Sequence, residues 1–173
     1  MKRLLILRHA KAEPGIGVDD FDRALTAGGR EDARALADWM RAQGWTPQAI
    51  LYSSARRTAE TADIVAADGP DPFWTRGEIG LYNANAPMLM AMIRQTPAEV
   101  DVLLIVGHNP GMGDIAHQLA GSGDETDRLR IASKFPTCGL AALDFAADDW
   151  ADIGPREGRL TALVTPADLG RRG

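Results

Sequence analysis

The sequence predicts an α/β protein of three layers, with a mostly parallel central sheet between helices and antiparallel strand(s) closing it. Three observations carry that expectation. Apolar runs at residues 4–7, 49–52 and 102–106 are short and unbroken, which suits strands buried on both faces. Segments with apolar residues at the helical period follow these runs, the alternation that builds parallel sheets. Strand-like segments at 139–145, around 150–153 and at 160–164, with a short connection at 146–149, predict the antiparallel closure.

In chain order, the strand at 4–7 leads into a Gly/Pro/Asp-rich loop at 14–22, of the kind that lines sites in α/β proteins. Thr26 suits the N-cap of a helix to about Gln43 that carries Ala33, Leu36, Ala37 and Met40 on one face, with Gly44 as its stop. After the strand at 49–52, a helix with Ala59, Ala62, Val65 and Ala66 as its inner stripe runs to the Asp68-Gly69-Pro70 break. Residues 73–75 read as a short strand, and Pro87 opens a helix with Leu89 and Ile93 inward. The strand at 102–106 ends in Gly107-His108-Asn109-Pro110-Gly111, and Met112, Ile115, Ala116 and Leu119 form the next helical stripe. Residues 121–127 read as a loop.

The 173 residues fit one domain, 1–173, with no repeat, low-complexity tract or linker. Hydrophobic residues at 45% and charged residues at 25% are ordinary for a soluble globular chain. A net charge of −5 argues against general affinity for nucleic acid or an anionic membrane, so any anion site must be a local cluster of basic groups. With Cys138 as the one cysteine, no internal disulfide can form, and a cytoplasmic location is the default. The apolar run after Met1-Lys2-Arg3 is too short for a signal peptide and is interrupted by Arg8, His9 and Lys11.

The three strand ends carry the chemistry: Arg8 and His9 on the first, Arg56 after the second, and His108 on the third. Parallel strands bring their carboxyl ends to one edge, where ligands of such sheets bind. Two arginines offer planar forks of donors that match phosphate oxygens. Histidine supplies a neutral nucleophile or a charged donor, and the helices after Ser54 and Pro110 aim free N–H groups at the same edge. A phosphoryl group is the natural occupant. A metal fits poorly, since arginines repel a cation and no close-spaced His or Cys set is present. His117 reads as a helix-face residue without a role, Met88, Met90 and Met92 as core filler, and Cys138 as a small residue entering a strand. Lys11 and Arg57 read as rim charges.

At this point the chain resembles the histidine phosphatase superfamily, and within it the small SixA-like phosphohistidine phosphatases. The likeness rests on Leu7-Arg8-His9-Ala10, Asp22-Arg23-Ala24-Leu25-Thr26 with Gly29, and the stretch from Ser53-Ser54-Ala55-Arg56-Arg57 through Thr58-Ala59-Glu60-Thr61. It continues with Leu81-Tyr82 and Ala84, Val106-Gly107-His108-Asn109-Pro110-Gly111, and more faintly Phe135-Pro136-Thr137 and Pro166-Ala167-Asp168-Leu169. Ala10, where the wider superfamily has glycine, favours the SixA-like branch; Ala55 stands where many relatives have proline.

The resemblance implies a phosphoglycerate mutase-like fold and a metal-independent phosphatase without cofactor. His9 becomes transiently phosphorylated, and Arg8, Arg56 and His108 complete the phosphate pocket. The expected substrate is phosphohistidine on a protein, and inorganic phosphate is the product. Two alternatives stand beside it: a phosphomonoesterase of broad specificity for small phosphate esters, and a non-catalytic module binding phosphorylated proteins. Glu78 is the candidate general acid by order along the chain, although the residues around it do not closely match the acid motif of relatives that need one. The short segment between the strands near 75 and 102 predicts a shallow, open pocket. The sequence leaves open which of Tyr82, Asn83, Asn85 and Lys134 reach it.

Overall fold

The computed structural model describes residues 1–171. Its strands are β1 (Lys2–Arg8), β2 (Ala49–Ser53), β3 (Trp74–Glu78), β4 (Val102–Gly107), β5 (Ala120–Gly123), β6 (Leu140–Phe145) and β7 (Gly158–Val164). Its α-helices are α1 (Ala27–Ala42), α2 (Arg56–Ala66), α3 (Ala86–Arg94), α4 (Gly111–Leu119) and α5 (Glu125–Ser133). The strands form one sheet in the order β3-β2-β4-β1-β6-β7-β5. The first four run parallel, whereas β6 is antiparallel to both β1 and β7. The expected mixed α/β architecture is therefore present.

Period-two alternation divides the core between the two faces. Leu4 and Ile6 of β1 turn to one side with Leu103 and Ile105 of β4, under Leu89, Ile93, Met112 and Ile115 of α3 and α4. Leu5 and Leu7 turn to the other with Leu104 and Val106, under Leu36 and Met40 of α1 and Ala62 and Val65 of α2. These strands are covered on both faces, which is why their sequences are apolar without a break. Burying each such Leu, Ile, Val or Met side chain is worth about 1.5–3 kcal/mol.

Local chemistry fixes the helix ends. Thr26 caps α1 by accepting from the Gly29 N–H at 2.9 Å, and Gly44 follows the helix with φ of +70°. Asn85 caps α3 through a bond from the Met88 N–H at 3.0 Å. Asp124 caps α5, accepting from the Asp127 N–H at 3.0 Å.

Three sequence expectations are corrected. Residues 121–127 are not one loop, because they complete the edge strand β5 and open α5. Only Ile131 of α5 is buried, so the helix lacks the stripe that betrays the others. The segment at 150–153 is not a strand: Trp150–Asp152 is a 3-10 turn, with the Trp150 indole buried and donating to the Val100 carbonyl at 2.7 Å. The connection at 146–149 therefore leads to no paired strand, and the antiparallel closure is made by β6 with β7 across residues 146–157.

Register sets the site. Arg8 pairs with Gly107, Tyr52 with Val106 and Ser53 with Glu78, so the carboxyl ends of β1, β2, β3 and β4 finish level at one edge.

Candidate active site

At that edge β1 delivers Arg8 and His9. The His9 N–H donates to the Gly107 carbonyl at 3.0 Å, and Ala10 N–H donates to the Thr61 hydroxyl at 3.1 Å, so the turn is held from both sides. His9 is 7% exposed, and its Nδ1 lies 2.7 Å from the Ala10 carbonyl. A carbonyl only accepts, so Nδ1 carries the proton and Nε2 keeps its lone pair. Burial pushes the His9 pKa down to about 4; the Ala10 bond opposes this, and the charges of Arg57, Arg8 and Arg23 add to it.

His108 follows β4. Its ring centroid is 5.3 Å from that of His9, its Nε2 is 2.8 Å from the Ser53 hydroxyl, and its Nδ1 is 3.3 Å from an Arg57 terminal nitrogen. Burial pushes its pKa down to about 3, with His9 and Arg57 adding to the shift and Asp20 opposing it. Both imidazoles are therefore neutral near pH 7 when no anion is bound.

The second arginine of the site is Arg57, not Arg56, and this corrects the sequence expectation. Arg57 is 5% exposed and bonded to the Asp20 carbonyl at 2.7 Å and the Asp20 carboxylate at 3.1 Å. The Arg56 side chain is 57% exposed and pairs with Glu60 at 2.9 Å. Neighbours on a helix point about 100° apart, so only one of the two can face the centre. The buried face of α2 is Arg57, Thr58, Thr61, Ala62 and Val65. A stripe drawn through Ala59 and Ala66 turns that face away, because it passes over the two buried threonines.

Arg8 donates to the Phe135 carbonyl at 3.1 Å. The Nε atoms of Arg8 and Arg57 are buried and have no hydrogen-bond partner among the described residues. Burial, and then the charge of Arg57, lower the Arg8 pKa. Two crowded guanidinium groups with unmet donors favour an anion between them.

Asp20 and Tyr82 join the site, and the first was not among the sequence candidates. Asp20, in the 3-10 turn at Asp20–Asp22, receives Arg57, the Tyr82 hydroxyl and, at 2.9 Å, Arg23. The Tyr82 hydroxyl bond lowers the Asp20 pKa to about 2; desolvation opposes it, and Arg57 and Arg23 reinforce it. The Tyr82 ring stands edge-on to His108 with centroids 5.3 Å apart. The Gly/Pro/Asp-rich composition of 14–22 was the available signal for this loop. Glu78 lies at the end of β3 and its carboxylate pairs with Arg76 at 2.8 Å; no hydrogen bond or ion pair among the described residues joins it to the centre. Asn85 caps α3, and Lys134 lines a cavity together with Arg8. Among the described residues no three His, Cys, Asp or Glu side chains cluster as metal ligands.

Residues 4–78 match the sequence model of the histidine phosphatase superfamily, branch 1. An uncharacterized protein of Mycobacterium tuberculosis is 35% identical over 162 residues, covering 92% of this chain and 99% of its own. The putative phosphohistidine phosphatase SixA of Agrobacterium tumefaciens superposes with a TM-score of 0.78 at 31% identity, over 95% of this chain and 98% of that one. Its counterpart from Nakamurella multipartitia gives 0.82 at 26% identity, over 95% and 96%. The chain belongs to the histidine phosphatase superfamily and has the phosphoglycerate mutase-like fold. Within the superfamily it falls in the SixA-like branch, and it is a phosphatase. No helix among the described residues is long and apolar enough to cross a membrane.

Proposed function

We propose that this phosphatase removes phosphate from phosphohistidine on a protein, through a phosphohistidine intermediate on His9. One observation carries the covalent part: the His9 Nδ1 proton is committed to the Ala10 carbonyl at 2.7 Å, which leaves Nε2 unprotonated beside two arginines with unmet donors. The Nε2 lone pair attacks phosphorus, and the bond to the leaving group breaks in line. Arg8 and Arg57 hold the phosphoryl oxygens, joined by His108 once the bound anion draws it to the imidazolium form, and these groups stabilise the charge that grows in the transition state. Water then attacks phospho-His9. The phosphorus–nitrogen bond breaks, its electron pair returns to Nε2, and dihydrogen phosphate leaves with both protons of the water.

The carboxylates support an imidazole as the leaving group. An alkyl ester expels an alkoxide, which needs a proton from a general acid. Asp20, the carboxylate bonded into the centre, stays ionised down to about pH 2, and Glu78 is engaged with Arg76. A phosphoimidazole protonated on its other ring nitrogen leaves as neutral imidazole and asks for no such donor.

The test compares one phosphohistidine protein with a panel of sugar phosphates under identical conditions. The proposal expects kcat/KM for the phosphohistidine protein to exceed that for every sugar phosphate by at least about 100-fold, the scale of one general-acid contribution. Equal or greater turnover of a sugar phosphate would replace it with the phosphomonoesterase reading, and inactivity towards both would replace it with a binding role.

A further inference from the structure

Beside the reaction centre the surface opens into a trough larger than a phosphoryl group requires. Its near end is a cavity of about 370 Å³ whose wall includes Arg8, Asn109 and Phe135. A second cavity of about 570 Å³ lies beyond, floored by Pro136, Leu163, Pro166 and Ala167. Ser133 and Lys134 line both, so one depression runs from Arg8 across the end of α5 to the segment after β7.

This wall is bonded to the reactive pair. The Phe135 carbonyl accepts from Arg8 at 3.1 Å and from the Asn109 amide at 2.6 Å. The Cys138 N–H donates to the carbonyls of Arg8 at 3.1 Å and His9 at 3.0 Å. The wall of the trough is therefore fixed relative to His9.

The charge of the trough is opposite to that of the chain, which is −5 overall. Of its far cations, Arg130 is neutralised by Asp127 and Asp168, and Arg171 by Glu31 and Asp32. Lys11 and Lys134 also line the second cavity, are exposed, and form no ion pair among the described residues. Asp114 is the remaining carboxylate in the lining, at the near end. The far end thus presents two unpaired ammonium groups around an apolar floor.

We infer that this trough binds the polypeptide around the phosphorylated side chain, and that Lys11 and Lys134 select a segment carrying Asp and Glu on either side of an apolar residue. The inference deepens the phosphohistidine reading and rests on it. Exposed charges act mainly on encounter and selectivity, and salt screens them. The chain's net charge of −5 repels an acidic partner overall, and the unpaired lysines offset that repulsion at the mouth of the site.

The test uses synthetic peptides of one scaffold with a single histidine, flanked by Asp/Glu or by Lys/Arg, unmodified or phosphorylated with phosphoramidate. Fluorescence anisotropy of the unmodified peptides reads the trough without turnover. Wild type should prefer the acidic peptide by about tenfold at low salt, and the Lys11→Glu/Lys134→Glu double variant should reverse that order. Lys11→Ala/Lys134→Ala should abolish the preference without reversing it. With the phosphorylated peptides, the kcat/KM ratio of acidic to basic peptide should change in the same order across the three proteins. An unchanged preference in both double variants overturns the inference. Peptide preference that follows the lysines, with no phosphohistidine turnover in wild type, overturns the phosphohistidine reading and leaves the trough assignment standing.

Discussion

Arg57 approaches His108 Nδ1 to 3.3 Å, and because a guanidinium can only donate, it fixes which nitrogen of His108 bears the proton. Nε2 is then the protonated atom, facing the Ser53 hydroxyl at 2.8 Å. One side chain of α2 thus supplies charge to the proposed phosphate site and sets the tautomer of the second histidine. Arg57→Ala should lower kcat/KM by about 10²–10³-fold, the range for losing a donor to a transition-state oxyanion. Arg56→Ala, which removes an exposed pair with Glu60, should stay within about twofold. Steady-state kinetics on both variants with one substrate decides between the adjacent arginines.

Asp20 holds Arg57 and Tyr82, and no hydrogen bond among the described residues joins it to His9 or His108. Asp20→Asn keeps the shape but loses the charge that anchors the guanidinium. It should cut kcat/KM about tenfold, while Tyr82→Phe should cut it about threefold, on the scale of about 1.4 kcal/mol and half that. A double-mutant cycle checks the link: coupling between Asp20→Asn and Arg57→Lys is expected, and strict additivity would show that the two act apart.

The histidines make a pH prediction with a definite sign. His9 and His108 are held near 4 and 3, below the ordinary 6.5, so the unfolded chain binds more protons than the folded one at mildly acidic pH. Their neutral forms contribute stability that is complete above pH 6.5, shrinks as pH falls below it, and stops shrinking below the folded values. Urea midpoints should therefore fall from pH 7.5 to pH 5, and His9→Asn or His108→Asn should flatten that slope. Imidazole NMR gives the complementary sign: inorganic phosphate should raise both midpoints, because the anion favours imidazolium.

Gly29 shows how tightly the first loop is tied to the site. A Cβ built there would lie 2.2 Å from the Lys11 carbonyl oxygen, which is rigid backbone. That carbonyl accepts the Thr26 N–H at 2.9 Å, the bond that docks the start of α1 beside His9. Gly29→Ala should destabilise the fold by about 1–3 kcal/mol, seen as a thermal midpoint several degrees lower. Gly28→Ala is the control, since its Cβ would meet nothing nearer than the Thr26 hydroxyl at 3.9 Å.

Much of this was legible in the sequence because burial on two faces leaves a strong signature. β1 is apolar from Leu4 to Leu7 and β4 from Val102 to Val106, and the register that pairs Arg8 with Gly107 sets the residues after those runs, His9 and His108, side by side. What escaped depended on direction around a helix or on contacts remote in sequence. Arg57 was obscured by Thr58 and Thr61, β-branched polar residues that occupy the inner face of α2 while looking like surface. Helix α5 was missed because a single residue, Ile131, anchors it. Asp20 reaches Tyr82 and Arg57 across 62 and 37 positions of chain, a closure no local pattern encodes. The Trp150 turn resembled a strand because its aromatic ring is buried, although its backbone pairs with no strand.

The covalent claim is tested most directly by acid-labile phosphate on the protein itself. Enzyme mixed with a phosphohistidine protein and quenched in alkali within milliseconds should carry phosphate on His9, located by mass spectrometry of the peptide containing it. His9→Ala should carry none and should lose turnover by at least about 10⁴-fold, since the intermediate has no other acceptor. Phosphate found on another residue, or normal turnover by His9→Ala, would contradict the account.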